Sequence, residues 1–251
     1  MSDKGWVLVT GAGRRIGRAL ALACAGAGYD VVVHARGPEA PDETAAEIRK
    51  LGREAKIALA DLADPADLGR LIAAAPRPLT LLVNCASLFE DDRIETLETE
   101  RWDAALATNL RAPVLLAKAF AAALPEGRDG LIVNVVDQRV WRLNPQFFSY
   151  TISKAALWTA TQTLAQALAP RIRVNAIGPG PTLASVHQTP ETFAAEVAAI
   201  PLQRAVDLDD HAAALTYLIG ARSVTGQMIA VDGGQHLGWR TPDVAPDTSD
   251  G

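Results

Sequence analysis

Residues 6–27 read WVLVTGAGRRIGRALALACAGA. The first five are an apolar run typical of a buried strand, and a helical pattern begins at Arg18 and ends near Ala27. Gly11 and Gly17 bound the loop between them. A strand, a glycine loop and a helix in this order hold a pyrophosphate against the helix N-terminus, because glycines let backbone N–H groups approach the phosphate closely. The stretch therefore predicts the first unit of a dinucleotide-binding fold.

Apolar runs and helical patterns alternate along the rest of the chain. Further strands are predicted at 31–34, 56–60, 79–83, 131–136 and 172–177, with a seventh strand and its turn at 226–234. Helices are predicted at 42–51, 65–75, 102–124, 149–169 and 209–219. This alternation predicts an α/β protein with a Rossmann-type doubly wound sheet of seven parallel strands and helices on both faces.

The chain shows no internal repeat and no interdomain linker. Its 251 residues, 49% of them apolar, suffice for one sizeable core, so we expect a single domain over residues 1–240. Residues 178–183 are rich in Gly and Pro, and residues 181–201, which begin within that segment, carry a short helix pattern at 190–199. They are predicted to form a flap over a substrate. Residues 241–251 are rich in Pro, Asp, Thr and Ser and are predicted to be a mobile tail.

Composition excludes several function classes. A net charge of −5 and a pI of about 5.4 argue against a nucleic-acid or acidic-membrane surface. Cys24 and Cys85 are the only cysteines and lack metal-ligand spacing, so we expect reduced thiols and no metal site. The chain begins without a signal-peptide pattern, and no apolar run approaches the ~18 residues that span a membrane. We therefore expect a cytoplasmic protein.

The charge at the end of the second strand bears on the choice of dinucleotide. A fold that prefers NAD places an acid there for the ribose 2′-hydroxyl, but this chain has Ala35 and Arg36. A guanidinium suits a 2′-phosphate, and Arg14 in the glycine loop can add a second cation. The pattern favours NADP over NAD, with the alternative that both arginines are merely solvated.

Polar residues follow the next two strands, where the carboxyl ends of a parallel sheet bind ligands. Asp61 can accept a bond from an adenine amino group, or it can cap the following turn. The run from Asn84 to Ser87 closes the fourth strand, and Phe89 follows as either a core residue or a surface on which a flat substrate stacks. Asn109 in the helix predicted at 102–124 can bond to backbone and hold a water near the site, or can simply be satisfied locally.

Three residues are candidates for acid–base chemistry. Tyr150 and Lys154 lie one turn apart on the helix predicted at 149–169. An ammonium there lowers the pKa of the phenol from its ordinary value of about 10, so that Tyr150 can transfer a proton. Asp137 ends the preceding strand. The alternatives are that Tyr150 and Lys154 are ordinary helix residues, and that Asp137 only accepts a bond from a backbone N–H.

Taken in order, these motifs resemble the short-chain dehydrogenase/reductase family over nearly the whole chain. The matching residues are Thr10-Gly11 to Gly17, Asp61, Asn84-Cys85-Ala86, Asn109, Tyr150 to Lys154, Asn175, Pro179-Gly180 and Val231 to Gly234. Three departures point one way: Arg15 replaces the middle glycine of the loop, Cys85 and Ser87 alter the Asn-Asn-Ala-Gly motif, and Asp137 replaces the catalytic serine. This set is similar to the pteridine reductases, including the bacterial dihydromonapterin or dihydrofolate reductase type.

The resemblance implies two sets of binding residues. Those expected to bind NADPH are Gly11, Arg14, Arg15, Ile16, Gly17, Arg36, Asp61, Leu62, Asn84, Ala86, Ser87, Asn109, Tyr150, Lys154, Pro179 and Gly180. Those expected to bind substrate are Arg15, Ser87, Phe89, Asp137 and Tyr150. Phe89 matches the aromatic residue on which the pterin ring stacks, opposite the nicotinamide. Cys85 in place of the second asparagine is a departure that affects local cofactor geometry.

The motifs and the resemblance together predict an NADPH-dependent reductase of pterins or dihydrofolate, in which Tyr150, Lys154 and Asp137 relay a proton to nitrogen. A carboxylate beside a phenol raises the pKa of the phenol, so Asp137 opposes Lys154 and the two acids are expected to titrate together. The rival readings are an NADPH-dependent carbonyl reductase of the same family and a non-catalytic NADP-binding regulator. The resemblance also implies a homotetramer, in which Trp239 or Arg240 reaches a neighbouring subunit's pocket.

Overall fold

The parallel sheet predicted from the sequence is the centre of the molecule. The computed structural model describes residues 4–38, 41–76 and 78–239. The strands are β1 (Trp6–Thr10), β2 (Asp30–Ala35), β3 (Ala55–Leu59), β4 (Leu79–Asn84), β5 (Gly130–Val135), β6 (Ile172–Pro179) and β7 (Met228–Val231). They pair in the order β3-β2-β1-β4-β5-β6-β7, and every pairing is parallel. The predicted fold class and strand number are confirmed.

Helices cover both faces of this sheet. They are α1 (Arg15–Gly26), α2 (Pro41–Lys50), α3 (Pro65–Ala74), α4 (Thr99–Leu106), α5 (Ala112–Ala123), α6 (Phe148–Leu168), α7 (Pro190–Ala199) and α8 (Leu208–Gly220). One face of β1 packs through Val7 and Val9 against the side that holds α1 and α8, and the other packs through Trp6 and Leu8 toward α3 and α5. Alternation along a strand sends successive side chains to opposite faces, so both faces must be apolar.

The order of the strands reverses between β1 and β4. Chain connections leave these two neighbours in opposite directions, so a crevice opens between the loops that follow them. The glycine loop follows β1, and the run from Asn84 to Ser87 follows β4. The fold therefore brings together, at one edge of the sheet, the motifs that the sequence analysis selected.

Two predicted boundaries were wrong. The first helix begins at Arg15, whose φ is +51°, and not at Arg18. The helix predicted at 102–124 begins at Thr99 and is interrupted by a π-helical segment, Ala107–Arg111, between α4 and α5. Such an insertion often marks a functional site, and Asn109 lies within it.

The flap contains the predicted short helix, α7, with the predicted bounds. Arg240 and the predicted tail at 241–251 lie outside the described residues. Within the described ranges, no helix is both long enough and apolar enough to cross a membrane.

Candidate active site

Gly11 and Gly17 of the glycine loop lie so close to other backbone atoms that neither position has room for a side chain. A Cβ on Gly17 would lie 2.1 Å from the carbonyl oxygen of Gly11. A Cβ on Gly11 would lie 2.8 Å from the Cα of Ala86, and Gly11 takes a φ of +67°. The loop after β1 thus touches the loop after β4, and the glycines are required by close approach as well as by backbone conformation.

A buried histidine supports the same loop from below. His34 at the end of β2 has Nδ1 3.2 Å from the backbone N of Gly11 and Nε2 3.1 Å from the carbonyl oxygen of Ala60. The amide can only donate and the carbonyl can only accept, so the imidazole must be neutral with its proton on Nε2. Burial lowers the pKa of His34, which agrees with this neutral form.

The arginines near the loop are divided between solvent and the flap. Arg14 and Arg36 are exposed. Arg15 donates instead to the carbonyl oxygens of Leu183 and Ala184, at 2.8 and 2.9 Å. Its predicted place beside phosphate and pterin stays a prediction, and the structure adds a contact with the flap that no sequence signal indicated.

Asp137 and Tyr150 form the centre of the candidate site. The Tyr150 hydroxyl donates to Asp137 Oδ2 at 2.8 Å, while Asp137 Oδ1 accepts the backbone N–H of Arg139 at 2.7 Å. The two oxygens of this carboxyl have different partners: Oδ1 makes the backbone bond raised as the alternative role, and the catalytic role of Asp137 stays a prediction. Oδ1 makes the structural bond that starts the short helix after β5, and Oδ2 is left for the tyrosine.

Of the two opposing effects expected on the pKa of Tyr150, the raising effect of Asp137 prevails over the lowering effect of Lys154. Burial, followed by the Asp137 carboxyl, raises the pKa of Tyr150 well above its ordinary value. Burial also raises the pKa of Asp137, against opposing hydrogen bonds from Arg139 and Tyr150. A pair of buried acids joined by one proton resists a second negative charge. The buried pair therefore favours one shared negative charge at most.

Lys154 lies in the same buried environment, with its Nζ donating to the carbonyl oxygen of Val135 at 2.8 Å. Its Nζ is 5.7 Å from the centre of the Tyr150 ring. Burial lowers the pKa of Lys154 to about 8. The ammonium is thus held next to the ring, but the Asp137 contact outweighs it in setting the acidity of the phenol.

The loop after β4 is held by hydrogen bonds at several points. Thr10 Oγ1 accepts the backbone N–H groups of Cys85 and Ala86 at 3.0 and 3.1 Å. Asn109 accepts from the N–H of Leu88 at 2.8 Å and donates to its carbonyl oxygen at 2.9 Å. Because Asn109 also bonds to Ser153 and Ser87, its side chain is satisfied locally, the structural alternative raised from the sequence.

Phe89 sits in an aromatic cluster at the mouth of the site. Its ring is stacked on Phe147 with centroids 4.2 Å apart and planes 12° apart. It is perpendicular to Tyr150 at 4.7 Å and tilted toward His187 of the flap at 5.8 Å. One face of Phe89 is therefore covered by Phe147. A stacked substrate must use the other face or displace this ring.

The chain is similar in sequence and structure to known reductases and dehydrogenases. The family profile described as enoyl-(acyl carrier protein) reductase matches residues 11–236. The structure of FolM alternative dihydrofolate reductase 1 from Brucella canis, complexed with NADP, is 51% identical, covers 98% of this chain and 99% of its own, and has a TM-score of 0.93. A 3-oxoacyl-(acyl-carrier-protein) reductase of Synechocystis is 33% identical over 90% of this chain and 95% of that protein. A short-chain type dehydrogenase/reductase of Picea abies is 31% identical over 91% of each.

The chain belongs to the short-chain dehydrogenase/reductase family. The membership predicted from the motifs is confirmed, as is the oxidoreductase class that they imply. Among the described residues, no three His, Cys, Asp or Glu side chains lie close enough together to hold a metal ion.

Other residues predicted from this reductase family's motifs line the crevice through backbone or stand behind it. The side chain of Asn84 points into the protein, where its Nδ2 donates to Asn134 Oδ1 at 2.8 Å. Leu62 is buried in the core on the α3 and α5 side of the sheet, and Ile16 packs against the core on the opposite side. Asp61 accepts the N–H of Ala63 at 2.9 Å, the turn contact raised as its alternative role.

The segment after β6 closes the far side of the crevice. Pro179 ends the strand, and a Cβ on Gly180 would lie 2.5 Å from the Cα of Asp232. Thr182 Oγ1 lies 2.8 Å from Nε2 of the buried His211 on α8. The base of the flap is therefore anchored to the last strand and the last helix.

Burial raises the pKa of the Cys85 thiol to about 12, so this cysteine stays protonated.

Sequence reasoning missed three residues of the site: Phe147, Asp92 and His187. Phe147 precedes α6 with a φ of +52°, which an aromatic residue rarely adopts. Asp92 bonds to the first turn of α6, and His187 Nε2 lies 3.2 Å from the carbonyl oxygen of Phe89. The only available signal was the position of Phe147 three residues before Tyr150, on the same turn of the chain. The other two are far from α6 in sequence.

Proposed function

We propose that this short-chain reductase uses NADPH to reduce pterins or dihydrofolate. The observation that carries the proposal is the bond between the Tyr150 hydroxyl and Asp137 Oδ2 at 2.8 Å, because it places a carboxyl where most of the family has a serine. The 51% identity to a FolM alternative dihydrofolate reductase that binds NADP supports the same substrate class.

The crevice suits a phosphorylated dinucleotide. The glycine loop leads into the N-terminus of α1 with no side chain at Gly11 or Gly17, and His34 accepts a hydrogen bond from its backbone. The exposed guanidinium of Arg36 follows β2, where it can bind a 2′-phosphate. NADPH, when bound, supplies a hydride to the carbon of a C=N bond. The NADPH-binding and substrate-binding residues named from the resemblance are part of this proposal.

The remaining chemistry belongs to the protein. Tyr150 gives its proton to the substrate nitrogen, and a protonated Asp137 returns one to Tyr150. The negative charge then rests on a carboxylate and not on a buried phenolate, whose formation the raised pKa of Tyr150 disfavours. Lys154 contributes positive charge beside both groups. A serine at position 137 could not accept this charge, whereas it could hydrogen-bond a ketone oxygen.

The organisation around the site is part of the same proposal. We infer one catalytic domain over residues 1–240, with the flap at 181–201 closing over the substrate. Two contacts support that role: Arg15 bonds to flap carbonyls, and His187 bonds to the backbone of Phe89. The family resemblance supports a cytoplasmic homotetramer that binds neither nucleic acid nor membrane. Trp239 is 59% exposed.

Steady-state assays with NADPH test the proposal directly. Dihydrobiopterin, dihydromonapterin and dihydrofolate should be turned over, and simple ketones should be poor substrates. An enzyme that reduced ketones well and none of the three pteridines would refute it. Methotrexate should raise the melting temperature only when NADPH is present, because the drug needs the nicotinamide face to complete its site.

A carbonyl reductase is the second candidate, favoured by the relatedness to a 3-oxoacyl-(acyl-carrier-protein) reductase. Asp137→Ser separates the two functions. Under the pteridine proposal, this substitution should abolish pteridine reduction and leave or improve ketone reduction. Under the rival, both activities of the variant should remain close to those of the wild type.

A further inference from the structure

The loop that carries Phe89 ends at a buried carboxylate. Asp92 is 2% exposed, yet it lies in an acidic run whose other members face solvent or are half-buried. Taking a carboxylate out of water is costly unless several donors meet it. The donors that Asp92 meets all come from the start of α6, the helix that carries Tyr150.

Helix α6 depends on Asp92 for its N-terminal cap. Its own capping position is Phe147, whose phenyl ring cannot accept a hydrogen bond. The backbone N–H of Ser149 donates to Asp92 Oδ1 at 3.0 Å and to Oδ2 at 3.3 Å, and the Ser149 hydroxyl donates to Oδ2. The N–H of Phe148 donates to the backbone carbonyl of Asp92 at 3.1 Å. A carboxylate from 57 residues away thus does the work of a local cap and faces the positive end of the helix dipole.

This contact joins the two halves of the proposed site. Asp92 lies three residues after Phe89, and Ser149 immediately precedes Tyr150. The centroids of the Phe89 and Tyr150 rings are 4.7 Å apart. Two sets of hydrogen bonds fix this separation. Asn109 holds the backbone of Leu88 next to Phe89. Asp92 holds the start of α6 next to Tyr150. Errors of about 1 Å in such a geometry can cost a hundredfold in rate.

We propose that Asp92 is a positioning residue that sets the distance between the ring of Phe89 and the hydroxyl of Tyr150. It touches neither substrate nor cofactor and acts through the first turn of α6. The inference rests on the proposed pteridine reductase function for its kinetic readout, but the contact between Asp92 and α6 can be tested without any substrate.

The test compares Asp92→Asn, Ser149→Ala and their combination with Asp91→Asn, a matched control at the exposed neighbouring position. An amide in place of Asp92 loses the charge and offers one acceptor oxygen where the carboxylate offers two. We expect Asp92→Asn to raise the pteridine KM and to lower kcat, with a fall in kcat/KM of at least about tenfold. The Kd of NADPH should change by less than about threefold, because the glycine loop is held independently by His34. Asp91→Asn should match the wild type.

The double variant should lose little more than the worse single variant, since both substitutions break one contact. Amide hydrogen exchange in the first turn of α6 should accelerate in Asp92→Asn and Ser149→Ala, measured without ligands, and stay unchanged in Asp91→Asn. If Asp92→Asn does not fold, Ser149→Ala decides the matter, because it keeps the carboxylate and removes only the hydroxyl donor.

Two results would overturn the proposal. One is a pteridine kcat/KM within about twofold of wild type in every variant that folds. The other is an unchanged rate of amide hydrogen exchange in the first turn of α6 in both Asp92→Asn and Ser149→Ala. If even the wild type and Asp91→Asn fail to reduce pteridines, the proposed function falls, and the exchange measurement still decides the role of Asp92.

Discussion

The two ends of the crevice are built by opposite means. At the glycine loop, the geometry depends on the absence of side chains: Gly11 and Gly17 let backbone groups meet at distances that a Cβ would forbid. Around Tyr150, the geometry depends on side chains from separate segments, with Asp137 after β5, Phe89 after β4 and Phe147 before α6. The first kind of site tolerates no added atom, whereas the second kind can be retuned one residue at a time.

The largest expected effect is at the side-chain end. Tyr150→Phe removes the proton donor and leaves Asp137 Oδ2 without its partner, so kcat should fall by about 10²- to 10⁴-fold. Tyr217→Phe on the exposed face of α8 is the matched control and should retain wild-type kcat. Steady-state rates with dihydrobiopterin and NADPH provide the measurement. A Tyr150→Phe enzyme with more than about a tenth of wild-type kcat would place the proton donor elsewhere.

At the backbone end, Gly17→Ala adds one methyl group 2.1 Å from the carbonyl oxygen of Gly11. Overpacking of this kind costs about 1–3 kcal/mol, so NADPH binding should weaken by roughly 10- to 100-fold. Gly26→Ala at the end of α1 meets no atom within 4 Å and should leave NADPH binding unchanged. Fluorescence titration of NADPH measures both. Equal affinities for the two variants would mean that the loop is less rigid than its packing indicates.

The base of the predicted flap contacts His211 of α8 through Thr182, away from both ends of the crevice. The free energy of unfolding of the protein should depend on pH through this histidine. Burial lowers the pKa of His211 to about 4, below the ordinary 6.5 that applies in the unfolded chain. Below pH 6.5 the unfolded state therefore binds the additional proton, and the free energy of unfolding should fall by about 2 kcal/mol on going from pH 7 to pH 5.

His211→Asn removes this titration and should flatten the pH dependence of the unfolding free energy between pH 6.5 and 4. Urea unfolding at several pH values makes the comparison, with His187→Asn as a control on the exposed part of the flap. Parallel pH profiles for wild type and His211→Asn would show that another group is responsible.

The smallest effect concerns the cofactor phosphate. Arg36→Ser should weaken NADPH binding by about tenfold and change NADH binding little, since one exposed charge-assisted contact is lost. Arg49→Ser on α2 is the control, because its guanidinium is bonded to the carbonyl oxygen of Ala55. The ratio of the two cofactor affinities is the measurement. An unchanged ratio would assign the 2′-phosphate to another residue.

The backbone end could be predicted from sequence because its signals are local. Glycine spacing, apolar runs and the helix start lie within residues 6–27, and each reflects a short-range steric rule. The pairing of Asp137 with Tyr150 was also predictable, since a strand end and the next helix start are adjacent in such a sheet. For Asn109 the sequence left two roles open, and its bonds match the alternative in which the side chain is simply satisfied. Its predicted contact with the cofactor stays a prediction.

The rest depends on contacts between distant segments. Nothing in the residues near Asp92 shows that Ser149 will meet it, and nothing near Arg15 shows that its guanidinium will bond to Leu183 and Ala184. The sequence indicated opposing effects of Lys154 and Asp137 on the pKa of Tyr150 but could not show which would prevail, because spacing does not reveal the extent of burial. Desolvation is a property of the folded surroundings and outweighed the nearby charge.

The pair of hydrogen bonds between the Asn109 side chain and the Leu88 backbone has a consequence for the rate at which this loop opens. The loop after β4 is short of regular structure, yet opening it requires a helix side chain to release both the N–H and the carbonyl of one residue. The amide protons of this loop should therefore exchange with solvent as slowly as those of the sheet, and more slowly than those of surface turns. This wall of the crevice should therefore keep one shape, held by the side chain of Asn109.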